Sequence, residues 1–227
     1  MTAIVADHPA PASVVTALYF RTRALHVEAE RTGIMRDLLH GDASRAGYVL
    51  LLRNLFPAYC AIEQGLERHQ GSPLLGVLAH YRLDRAPAIE SDLAALCGER
   101  WINDIPLLPA GELYASRIAE AAEGDGAQLI AHAYTRYLGD LSGGQILKRL
   151  LSRSLELRSA ELTFYDFPRF PDLDALKANY RQALDQAAAQ FPNGDAIVEE
   201  GVLAFSHNIA LSCAVQAAAA RESAATR

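Results

Sequence analysis

The run Ala133-Tyr134-Thr135-Arg136-Tyr137-Leu138-Gly139-Asp140-Leu141-Ser142-Gly143-Gly144-Gln145 decides how this chain folds. It lies in a segment, about residues 127–157, whose Leu129, Ile130, Ala133, Tyr137, Leu141, Leu147 and Leu150 recur at helical spacing and share an inward face. Three glycines inside so strong a helical pattern cost about 1 kcal/mol each relative to Ala. A helix that keeps them gains something else: a kink, or close approach of a bulky partner to its backbone. An unbroken α-helix puts His132, Arg136, Gly139, Asp140 and Gly143 on one side. That side can seat a flat ligand against bare glycine backbone, with Arg136 and Asp140 reaching its edge. A glycine pair by itself reads more simply, as tight helix packing beside a surface Arg–Asp pair.

Composition extends the helical reading to the whole chain. Its 227 residues are 51% hydrophobic, rich in Ala and Leu, with few strand-like runs and no regular turn spacing. This predicts an all-α fold with one sizeable core. A net charge of −6 gives no electrostatic case for nucleic acid. Cys60, Cys97 and Cys213 are odd in number, widely spaced and set in apolar helical contexts, so they read as buried free thiols of a reducing compartment. Residues 1–12 hold two prolines and no apolar core, which makes them a flexible N-terminal segment and not a signal peptide. Residues 13–220 form the helical domain and 221–227 a C-terminal tail. The Ala217-Ala218-Ala219-Ala220-Arg221-Glu222-Ser223 run is too short and polar to span a bilayer. A soluble, cytoplasmic chain without membrane attachment is expected.

The remaining helices follow from caps and stripes. Ser13 is a good N-cap and Gly33 a good C′ residue, so a first helix covers 13–33, with Thr22, His26, Ala29, Glu30 and Gly33 on one face. A neutral imidazole at His26 could bind a metal through one nitrogen while Glu30, one turn on, accepts from the other. An arbitrary helix would carry the same two residues as a surface pair. A second long helix, 44–69, has an apolar stripe ending in Tyr59, Ile62 and Leu66, and Pro57 should bend it. Prolines and glycines break 71–109 into short helices, 88–97 the clearest, and another helix covers 110–123. Two prolines interrupt the aromatic stretch 164–171. Helix 172–190 then sets Lys177 and Arg181 four apart, flanked by Tyr180, which alone would be a solvated pair. A last helix, 195–219, carries Phe205, His207 and Asn208, and Phe205 reads equally as a core residue.

The signature run, taken whole, resembles the distal helix of haem oxygenases. Thr22-x-x-x-His26-x-x-Ala29-Glu30 resembles their proximal helix, Lys177-x-x-Tyr180-Arg181 the segment that holds the haem propionates, and Phe205-x-x-Asn208 the one closing the distal side. The resemblance covers nearly the full chain, in order. It implies a single-domain multi-helix bundle with haem b, substrate and cofactor at once, between a proximal helix and a kinked distal one. It makes His26 the axial metal ligand and Glu30 its carboxylate. Tyr134, Thr135, Gly139, Ser142, Gly143, Lys177, Arg181, Phe205 and Asn208 become haem contacts, and the aromatic–Pro stretch lines the pocket. Asp140, supported by Arg136 and Tyr59, becomes the catalytic group that holds the water chain delivering protons to O2. The absence of the C-terminal membrane tail of eukaryotic members points to a bacterial type.

The reaction so implied is O2- and electron-dependent cleavage of haem to biliverdin, CO and Fe2+. Its electron donor would be a ferredoxin or flavoprotein reductase, and a biliverdin-using photoreceptor is one destination of the product. A thiolate ligand or strong distal acid would favour O–O cleavage instead, which explains the pairing of a neutral histidine with a bare distal wall. One position departs from the family: Tyr19 stands seven residues before His26, where a basic residue contacts a propionate. Either the ring seats differently or another cation substitutes, and the choice of meso carbon depends on which. His132 and His207 rank below His26 as ligands, since His132 lies about 10 Å along the helix from Gly139. A haem carrier or sensor with the same pocket is the alternative, and it would not need Asp140 or Arg136. Relatives of the fold with a di-iron site or thiamin-degrading activity need a carboxylate/His cluster or a catalytic Cys that the sequence does not display.

Overall fold

The long helices begin where a side chain can take up their orphaned first-turn amides. Ser13 Oγ accepts from Thr16 N at 3.0 Å, Ser44 Oγ from Gly47 N at 3.0 Å, and Asp172 from Ala175 N at 2.9 Å. In the computed structural model, which describes residues 13–225, these caps open α1 (Val14–Arg31), α3 (Arg45–Arg68) and α10 (Leu173–Ala188). The flexible segment expected at 1–12 lies outside the described residues. No strand occurs among those described, and the fold is all-α.

Gly33 does end α1, with φ at +60°. A second helix, α2 (Gly33–His40), starts there at once, where no element was expected. The glycine is required twice over, because a Cβ on it would lie 2.4 Å from the backbone of Ser212. That backbone belongs to α11 (Gly194–Ala225), which packs against α1, α2 and α3. α11 also touches α7 (Pro109–Ala121) and α8 (Leu129–Ala133) and is the axis of the bundle. It runs into the stretch expected as a C-terminal tail. An 18-residue window within Gly194–Glu222 is apolar enough to cross a membrane, yet 44% of that window is buried inside the bundle. α3 packs on α5 (Ala86–Cys97) and α7, and short helices α4 (Gly76–Ala79) and α6 (Trp101–Asp104) join the corners.

The signature segment is interrupted, as expected of a kinked distal helix, but the interruption is not at the glycines. After α8 the backbone makes one π-helical turn, Tyr134–Leu138, before α9 (Gly139–Ser154). A π turn inserts one residue and shifts the phase of everything after it. The five residues expected on one side are therefore divided. His132 is fully buried and Asp140 nearly so, whereas Gly139 is exposed and Gly143 partly exposed. The kink comes from this turn, just before the glycines. The cysteines are also corrected: all three are free, but Cys60 is half-buried and Cys97 and Cys213 are exposed, because they sit on the outer faces of amphipathic helices.

Candidate functional site

α3 brings Tyr59 to the signature segment, and the pair defines a buried polar cluster. The Tyr59 hydroxyl donates to Asp140 Oδ2 at 2.7 Å and accepts from Arg136 Nε at 3.0 Å and Nη2 at 2.8 Å. Arg136 Nη1 donates to Asn208 Oδ1 on α11 at 2.7 Å, and its Nη2 lies 3.8 Å from Asp140 Oδ1. Arg136 and Asp140 are 12% and 8% exposed, so this is no surface pair. Burial raises the pKa of Asp140, although Arg136, Tyr59 and Arg85 pull it back. Burial alone would lower Arg136, but the facing Tyr59 and Asp140 reverse that and hold it firmly charged.

On the other wall, α1 presents His26. Its side chain is 56% exposed, its Nδ1 lies 3.6 Å from Glu30 Oε1, and its ring is 5.9 Å from that of Phe205. That separation is within ion-pair range but too long for a hydrogen bond. Phe205 and Asn208 are neighbours on one face of α11, so α11 joins the His26 wall to the Arg136 cluster. One turn before His26, buried Thr22 donates to Leu18 O at 2.7 Å. Next to Asp140 the glycines are open: a Cβ built on Gly139 or Gly143 meets nothing within 4 Å. Ser142 is exposed beside them, while buried Thr135 donates back to Ala131 O at 2.9 Å.

The rim is polar. Burial raises the pKa of Tyr134, and the charge of Arg181 pulls it back. Lys177 is partly exposed one turn away on α10.

Two clusters escaped the sequence reading. Arg85, buried on the turn before α5, donates to the carbonyls of Phe164 and Asp166, and Asp92 accepts from the amides of Thr163 (2.8 Å) and Phe164 (2.9 Å). Together they fix the aromatic stretch, whose Phe164 ring packs edge-on against Tyr59 at 5.4 Å. Thus Phe164 backs the polar cluster. The second is Glu200 of α11, which accepts from His132 Nε2 at 2.8 Å and Arg117 Nε at 2.9 Å. His132 is thereby committed to the core, and His207 is stacked on Tyr114 at 5.8 Å. Both pairings join residues far apart in sequence, and neither has a local signal. A separate cavity of about 290 Å3 between α3, α4 and the 82–87 turn shares only Tyr137 with the signature run. Among the described residues, no group of three or more His, Cys, Asp or Glu could hold a metal ion.

The bundle thus combines an exposed imidazole on α1, open glycine backbone at Gly139 and Gly143, and a buried acid adjoining those glycines. The family model described as Heme oxygenase matches residues 12–214. Heme oxygenase 1 of a Nostoc species is 40% identical over 189 residues, covering 83% of this chain and 79% of that protein. Human heme oxygenase 1 is 36% identical over 204 residues, covering 88% and 71%. The crystal structure of heme oxygenase-1 from the cyanobacterium Synechocystis, in complex with heme, superposes with a TM-score of 0.86 at 30% identity, covering 95% of this chain and 97% of that one. This chain belongs to the haem oxygenase family, and it is an enzyme of haem degradation.

Proposed function

We propose that the chain cleaves haem b to biliverdin, CO and Fe2+, consuming O2 and electrons from a ferredoxin or flavoprotein reductase. The observation that carries this reading is the open backbone at Gly139 and Gly143 next to the buried Tyr59–Asp140–Arg136 cluster, in a bundle that also presents solvent-accessible His26. The residues present fit a haem: one imidazole, a side-chain-free distal surface, and cations with a tyrosine at the rim. Haem is both substrate and cofactor, and when bound it supplies the iron that activates O2 against its own ring.

The chain's residues do the rest. His26 would hold the iron through one ring nitrogen, with Glu30, 3.6 Å from Nδ1, as the carboxylate near enough to steady the ring. Gly139 and Gly143 admit the ring without offering a donor that would split the O–O bond. Asp140, raised by burial, keeps a proton nearer neutrality than a surface carboxylate does, and hands it on through water. Tyr59 and Arg136 hold that carboxylate in place, and Asn208 holds Arg136. Lys177 and Arg181, with Tyr134, orient the propionates by charge-assisted bonds. Phe205 and Ser142 complete the contact surface. The enzyme acts in the cytoplasm of a bacterium, serving iron acquisition or supply of a photoreceptor chromophore.

Aerobic incubation with haem and a reductant tests the reading. Loss of the Soret band with appearance of green pigment is expected, whereas an unchanged spectrum identifies a haem carrier or sensor. His26→Ala should lose the axial bond and turnover together; wild-type spectra in that variant remove the ligand assignment.

A further inference from the structure

We propose that Asp185 is a positioning residue that sets the register of α1 against α10, and so selects which meso carbon is cleaved. This rests on the reading above, in which His26 on α1 and Lys177 and Arg181 on α10 hold opposite parts of one ring. Asp185 is the side chain that ties the two helices together at a defined point. Its carboxylate accepts from Ser13 Oγ at 3.0 and 2.9 Å and from the Val15 amide at 2.9 Å. The first turn of α1 is thus capped partly by its own Ser13 and partly by a carboxylate 170 residues away.

Ser13 and Val15, at the start of α1, meet Asp185 in the last turns of α10, and Tyr134 of the π turn feels both Tyr19 of α1 and Arg181 of α10 electrostatically. On α10, Lys177, Arg181 and Asp185 recur every four residues and form one stripe. The same stripe therefore carries the two cations and the anchor. α1 is itself locked on α11, where buried Leu18 fills the space that a Cβ on Gly201 would need, so α10 is the helix whose placement Asp185 decides. Sliding α10 by one residue against α1 would move its two cations about 1.5 Å relative to His26. With Tyr19 in place of a cation, the ring depends more heavily on Arg181, and hence on where Asp185 sets it.

The test compares Asp185→Ala, Asp185→Asn and Arg181→Ala with the wild type, in three measurements. In the ligand-free chain, amides of the first turn of α1 should exchange about fivefold faster in Asp185→Ala, the factor matching a lost cap of about 1 kcal/mol. In the loaded enzyme, proton NMR of the haem methyls should show a second seating. The minor biliverdin isomers should rise several-fold, while kcat falls less than twofold. Asp185→Asn, which keeps the acceptor for Val15, should recover most of the wild-type distribution. A residue that merely stabilises the fold would lower the melting temperature without moving the isomers. If Asp185→Ala does not fold, Ser13→Ala replaces it, since it removes the hydroxyl that bonds both carboxylate oxygens. An unchanged isomer distribution overturns the proposal. Arg181→Ala shows whether the propionate reading falls with it, and a wild type that makes no biliverdin removes both.

Discussion

Asp140 and Gly139 are adjacent in sequence but answer to different demands. Gly139 is open on its outer side, so the fold does not require it to lack a side chain. Gly139→Ala should therefore fold with unchanged or slightly greater stability, up to about 1 kcal/mol from helix propensity. Its methyl would project into the slot, and haem turnover should drop about tenfold or more. Thermal melting and biliverdin yield measured on the same sample decide this; a destabilised variant would mean that the glycine serves packing. Asp140→Ala should still bind haem, but its biliverdin yield should fall about 100-fold, the scale of a lost proton-transfer group. Normal pigment yield would remove Asp140 from the proton path. The sequence made these residues legible because the run is long and its chemistry local. It could not show that Tyr59, 81 positions away, would bond directly to Asp140.

At the scale of elements, caps and stripes located nearly every long helix, since both signals are local. Ser13 caps where expected, and Ser44 and Asp172, expected only as helix starts, cap theirs as well. The π turn was not legible. Tyr134–Leu138 has ordinary helical composition, and what the turn secures is distant in sequence, with Arg136 reaching Tyr59 and Asn208. α2 was missed for a similar reason, because the sharp change of direction at Gly33 is set by the backbone of α11. Gly33→Ala should accordingly lose roughly 2–4 kcal/mol, from the left-handed φ and the 2.4 Å contact together. A urea melt checks this, and a loss under 1 kcal/mol would show that α11 yields easily.

At the scale of the molecule, α11 ties the bundle through Glu200. Burial alone would raise this carboxyl, but the hydrogen bonds from His132 and Arg117 reverse that and hold it at about 2. Burial keeps His132 below the usual imidazole range, so its Nε2–H donates as a neutral ring. A depressed acid stabilises the fold above its unfolded pKa of about 4.5 and loses that contribution as pH falls toward 2. The contribution is on the order of 3 kcal/mol. Glu200→Gln should be less stable at neutral pH by a similar amount, and its stability should vary less between pH 4.5 and 2 than that of the wild type. Parallel slopes in urea melts across that window would show that Glu200 is not the group titrating.

By itself the sequence determined the helical class, the helix starts, the family and the residue types of the site. Each of these is written in spacing, caps or one contiguous run. Only the tertiary structure decided the partners: Tyr59 with Asp140, Glu200 with His132, Asp185 with Ser13, and the phase shift that parts the glycines from His132. Those choices come from packing helices distant in sequence around α11, where the geometry of several backbones together fixes which side chains meet.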